Sequence, residues 1–112
     1  MTDAINPLDG RYYEKTRALA PYFSESALMK YRVMVECEFL ICLSEAKITK
    51  LRKLTPNEIK KLRVLYEKWN DSSYKKIKAF EKTTNHDVKA VEYFIKESLQ
   101  KTSLKNALEW LH

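Results

Sequence analysis

A chain of 112 residues and 13.3 kDa is one domain at most. At 45% hydrophobic and 32% charged it is not a disordered chain, and a single glycine, Gly10, with three prolines excludes a turn-rich β-sandwich and a Gly-rich phosphate loop, which leaves an all-α domain. The net charge of +6 is uneven, −2 over residues 1–46 and +8 over 47–112, a balance open to nucleic acid, an acidic partner or an anionic small molecule.

Residues 1–23 read as irregular. Asn6, Pro7, Asp9 and Gly10 are turn formers, and Pro21 closes off residues 16–20. Tyr12, Tyr13, Tyr22 and Phe23 make this segment too aromatic for a solvated tail, so it is expected to pack against the helices. The first long helix is predicted over 24–46, with Ser24 as its N-cap and Glu25 at the positive end of the dipole. Leu28, Tyr31, Val35, Phe39 and Cys42 form its apolar stripe, and Val33, Met34, Leu40, Ile41 and Leu43 carry apolar character most of the way round. A helix of that kind is expected to be buried in a larger body or an assembly.

Thr55-Pro56-Asn57-Glu58 marks the next helix: Thr55 caps, Pro56 takes the first position and Glu58 reaches back. Ile59, Leu62, Val64, Leu65 and Trp69 line it, and Asn70-Asp71-Ser72-Ser73 is expected to end it. A shorter helix over 74–81 turns Ile77 and Phe80 inward, and 82–85 reads as a polar break. A further helix runs from 85–87 to about Leu99, with Val88, Val91, Phe94, Ile95 and Leu99 inward. Ser103 is expected to cap a last segment, 104–112, which lacks a C-cap, a glycine or a polar tail and so predicts a cut within a longer protein.

Compact folding at this mass leaves about 6,500 Å² of surface. Cys37 and Cys42 are five apart, about 140° around a helix, too divergent to pair with each other. They read as two buried, reduced thiols of a cytoplasmic protein. No zinc spacing is visible with only His86 and His112 elsewhere, so no metal site is expected. Polar residues in the first eleven argue against a signal peptide, and the apolar run at 39–43 is far too short to span a membrane.

Two segments carry chemistry. In Asn6-Pro7-Leu8-Asp9-Gly10-Arg11-Tyr12, Gly10 allows a tight turn or a close backbone approach. Arg11 offers a planar fork of donors for phosphate or carboxylate, and Tyr12 a hydroxyl and an aromatic wall. In Thr83-Thr84-Asn85-His86-Asp87, polar side chains gather at the start of an apolar helix, whose N–H groups and dipole suit an anion. Asn85 both donates and accepts, His86 supplies an imidazole, and Asp87 is placed to fix its tautomer or stabilise its cation. The plainer reading is an N-cap made by Asn85 or Asp87, with His86 incidental.

The stretches NPLDGRY, FSESALMKYRVMVECEFL and EKTTNHDVKAVEYFIKE, in that order, resemble the adenylosuccinate lyase family of the fumarase/aspartase superfamily. Many members have Arg at the position of Lys82. The resemblance implies that residues 1–112 are the first, helical domain of a three-domain enzyme, truncated before a central helical bundle through which homotetramers form. It implies a β-elimination in purine biosynthesis, releasing fumarate from adenylosuccinate to give AMP and from SAICAR to give AICAR, without a cofactor. By the same resemblance Arg11, Tyr12, Asn85, His86 and Asp87 bind substrate, with Lys82, Thr83 and Thr84 as neighbours. The catalytic serine base and histidine acid are expected in absent domains, so the chain alone is expected to be inactive. On this reading it binds neither nucleic acid nor membrane. The basic half, including Lys47, Lys50, Arg52 and Lys53, keeps an alternative open: a small nucleic-acid-binding or protein-interaction module.

Overall fold

The structure, a computed structural model, describes residues 3–111. Among them there are helices and turns but no strand. Residues 1–23, expected to be irregular, instead contain two one-turn helices, α1 (Tyr13–Thr16) and α2 (Ala20–Phe23), joined by a 3₁₀ turn. Four longer helices follow: α3 (Glu25–Ala46), α4 (Pro56–Glu67), α5 (Asp71–Thr84) and α6 (Asp87–Leu99). A 3₁₀ turn at Ala107–Trp110 comes last.

Local capping chemistry sets most of these ends. The Ser24 hydroxyl accepts the Ala27 N–H at 3.1 Å and starts α3. Lys47, in the left-handed conformation at φ 59°, stops it. Thr55 and Glu58 form the reciprocal box expected of them at the start of α4. The polar run 70–73 is not a linker: Asn70 accepts the Ser73 N–H, so α5 begins at once. That helix also continues through Lys82, Thr83 and Thr84, beyond the expected break. Ser103 does not cap the last segment, because its hydroxyl donates to Glu58. His112 lies outside the described residues.

Helix α3 is the spine, packed by α4 on one side and by the α5–α6 hairpin on another. Its buried face is Ala27, Met29, Val33, Cys37, Leu40, Ile41 and Ser44. The stripe expected to be buried in a larger body or an assembly is largely uncovered within this chain: Leu28, Val35, Phe39 and Cys42 are exposed, with only Tyr31 half-buried. Only one thiol, Cys37, is therefore buried. Leu62, Ile77, Val91, Phe94, Ile95, Leu104 and Leu108 are among the residues that join it in the core, whereas Val88 faces solvent.

Polar clips fix the helices around α3. Glu38 accepts from Arg63 at 2.9 Å and from the Tyr66 hydroxyl at 2.6 Å, tying α4. Burial, reinforced by Glu38, pushes the Tyr66 phenol up to about 12. Glu25 accepts from Lys78 at 2.7 Å and Tyr74 at 3.0 Å, tying α5. Trp69 donates to Ser26 at 2.9 Å. The buried carboxylate of Glu58 takes both arms of Arg52, at 2.8 and 2.7 Å, and the Ser103 hydroxyl, so it binds the loop before α4 to the C-terminal turns.

The N-terminal aromatics do not pack as expected. Although α2 lies on α3, Tyr22 and Phe23 stay 61% and 81% exposed, and Tyr12 and Tyr13 are also exposed. The molecule is elongated, 54 × 28 × 23 Å, with a radius of gyration of 16.6 Å where a compact chain of this length has about 13 Å. Its surface is 8056 Å², well above the roughly 6,500 Å² of a compact fold of this mass.

Candidate functional site

The α5–α6 turn is built by two residues. Asn85 ends α5 in the left-handed conformation, φ 54° and ψ 28°, with its N–H donated to the Glu81 carbonyl at 2.8 Å. Asparagine tolerates that region, which is why a tight helix-to-helix turn forms without glycine or proline. His86 is extended and is itself the N-cap of α6, in place of the expected Asn85 or Asp87: its Nδ1 accepts the Lys89 N–H at 3.3 Å. The Thr84 hydroxyl accepts the His86 N–H and donates to the His86 carbonyl, locking the turn from the other side.

Asp87 does not reach the imidazole as a tautomer-fixing partner. Its Oδ2 accepts from Arg32 Nη1 at 2.6 Å, and its Oδ1 accepts the Val88 N–H at 2.8 Å. The Arg32 guanidinium holds the Asp87 carboxyl below its ordinary value, with desolvation opposing it. Two N–H groups of the first turn, expected to be open to an anion, are thus already taken by the chain's own caps.

The turn opens on a cleft of about 580 Å³ lined by Lys78, Glu81, Lys82, Asn85, His86 and Asp87. Lys78 is committed to Glu25 and Glu81. Exposed Lys82, the Asn85 carboxamide and the imidazole edge are the donors that remain to meet a carboxylate or phosphate.

The other segment forms a separate compact turn. Asp9 accepts the Asn6 and Ile5 N–H groups at 2.9 and 3.3 Å, and Asn6 accepts the Leu8 N–H at 2.7 Å. Gly10 has no positive φ, so its role is close approach: a Cβ there would stand 3.2 Å from both the Ala4 Cβ and the Asn6 carbonyl. Arg11 lies over the ring of Tyr12 at 4.9 Å, and both are exposed. Among the described residues no hydrogen bond, ion pair or ring contact joins Arg11 or Tyr12 to the α5–α6 turn. Sequence reasoning passed over Arg32, which stands in α3 between the apolar Tyr31 and Val33 and gives no local sign of its distant partner.

No family model matches the chain. Curated proteins do match, along almost its whole length. It is 52% identical over 100 residues to adenylosuccinate lyase of Dictyostelium discoideum, covering 86% of this chain and 21% of that protein. It is 47% identical over 112 residues to the enzyme of that name from Legionella pneumophila, strain Corby, covering 98% of this chain and 25% of the relative. For the Escherichia coli K12 protein the figures are 40% over 111 residues, 97% and 24%. An all-α segment similar, along almost its whole length, to proteins named as lyases is the class that the fold and these matches define. More particularly, the chain belongs to the adenylosuccinate lyase family, and it spans about a quarter of the length of the curated relatives it matches.

Proposed function

We propose that residues 1–112 serve as the first domain of a longer, cytoplasmic and homotetrameric adenylosuccinate lyase, supplying substrate-binding groups to a site whose proton-moving residues lie elsewhere. In that reaction a base removes a proton from the carbon beside a carboxylate, the aci-carboxylate is stabilised electrostatically, and an acid protonates the departing nitrogen. Adenylosuccinate yields AMP and fumarate; SAICAR yields AICAR and fumarate. Acid–base and electrostatic groups carry these steps without a cofactor.

The observation that carries this reading is the α5–α6 turn. A run related to adenylosuccinate lyases presents Asn85, His86 and Lys82 on one open cleft. The substrate's carboxylates and phosphate call for cations and N–H donors, which those groups provide. Arg11 and Tyr12 add a guanidinium and a hydroxyl on the separate N-terminal turn, exposed and available to the same nucleotide when the rest of the enzyme surrounds it. His86 orients substrate; the general acid is another histidine. The exposed apolar side of α3 supports burial in an assembly.

The test is kinetic, in the full-length enzyme. Arg11→Ala and Asn85→Ala are each expected to raise KM for adenylosuccinate about tenfold or more, with little change in thermal unfolding for Arg11→Ala and a modest lowering for Asn85→Ala, whose left-handed backbone disfavours alanine. A lowered unfolding temperature with unchanged KM would assign these residues to structure alone.

A further inference from the structure

We infer that Arg32 is a positioning residue for the substrate-binding turn, acting from α3 through Asp87 on the start of α6; this rests on the proposed role of that turn. Asn85 and His86 are joined to α5 and α6 by short-range bonds, which shape the turn but do not locate it on the molecule. The Arg32–Asp87 bond does. It spans 55 positions in the sequence, is 2.6 Å long, and links the spine helix to the first residue of α6. Arg32 is itself half-buried, in a shallow groove with Leu28, Tyr31, Val35, Val88 and Val91, so its aliphatic stem is held in place. Glu36 lies one turn further along the same groove.

The consequences concern both place and charge. With Oδ2 on Arg32 and Oδ1 on the Val88 N–H, both Asp87 oxygens are spoken for. The carboxylate is neutralised beside the cleft, and its repulsion of an anionic substrate is reduced. Losing Arg32 would free an unpaired carboxylate next to Asn85 and His86 and loosen the α6 start from α3. Both effects weaken anion binding more than they alter proton transfer, which is assigned to groups outside this chain.

Steady-state kinetics of the full-length enzyme test this. Arg32→Gln is expected to raise KM for adenylosuccinate about fivefold to tenfold with kcat within about threefold. Arg32→Lys, which keeps the charge needed for a single N–O contact, is expected to recover most of the loss. Asp87→Asn combined with Arg32→Gln is expected to be little worse than the poorer single variant, since the two form one unit. A normal KM in Arg32→Gln beside a damaged Asn85→Ala overturns the role of Arg32 alone. A normal KM in Asn85→Ala overturns the reading of the turn, and this inference with it. Should Arg32→Gln fail to fold, the same question is put through Asp87→Asn and Arg32→Lys: additive losses in their combination would overturn the inference.

Discussion

Glu58 holds more of this molecule together than its place in a capping box implies. Its carboxyl sits well below its ordinary value of 4.5, chiefly because Arg52 bonds to it; burial works the other way, and the Thr55 N–H and Ser103 hydroxyl add to the lowering. A carboxylate depressed on folding stabilises the native state above its unfolded pKa, about 4.3, and loses that contribution as pH falls towards the folded value. Because Arg52 is half exposed, the pair contributes about 1–2 kcal/mol. Urea unfolding of Glu58→Gln is expected to show that loss at pH 7 and a flatter decline below pH 4 than the parent. The cysteines differ just as clearly. Burial pushes the Cys37 thiol up to about 12, whereas Cys42 is exposed. A thiol titration of the native chain is expected to count one reactive cysteine, and two after denaturation.

Helix boundaries were readable wherever a side chain makes them, as at Ser24 and Thr55. They were misread where one helix follows another almost at once, Asn70 capping α5 just after the Lys68 end of α4 and His86 capping α6 directly after Asn85 ends α5. Asn70 starts α5 with almost no loop, and Asn85 turns the chain in a conformation usually given to glycine. The facing of α3 was not readable, since apolar residues occupy both sides and periodicity then has no preferred phase. The two sides nonetheless differ physically. Leu40→Ala, in the core, is expected to cost about 3 kcal/mol in chemical denaturation of the chain. Val35→Ala, on the open face, is expected to cost under about 0.5 kcal/mol. In the site, the contiguous residues Asn85, His86 and Asp87 could be picked out because their chemistry is local. The partner of Asp87 could not, because Arg32 lies 55 residues away and meets it only through helix packing.

The whole molecule is longer and more exposed than a self-contained domain of its mass, and most of its exposed large apolar side chains lie on the outer face of α3 and the N-terminal turns. Those turns carry Arg11 and Tyr12, and nothing in the described residues binds them to the cleft on the α5–α6 turn. Two exposed sets of anion-binding groups, not joined to each other, fit a pocket that other parts of a larger enzyme complete. The claim that this chain holds binding groups but not the proton-transfer machinery is tested most directly by measuring fumarate release from adenylosuccinate by the 112-residue chain and by the full-length enzyme, side by side. The account predicts turnover by the full-length enzyme and none by the chain alone; fumarate produced by the chain alone would contradict it.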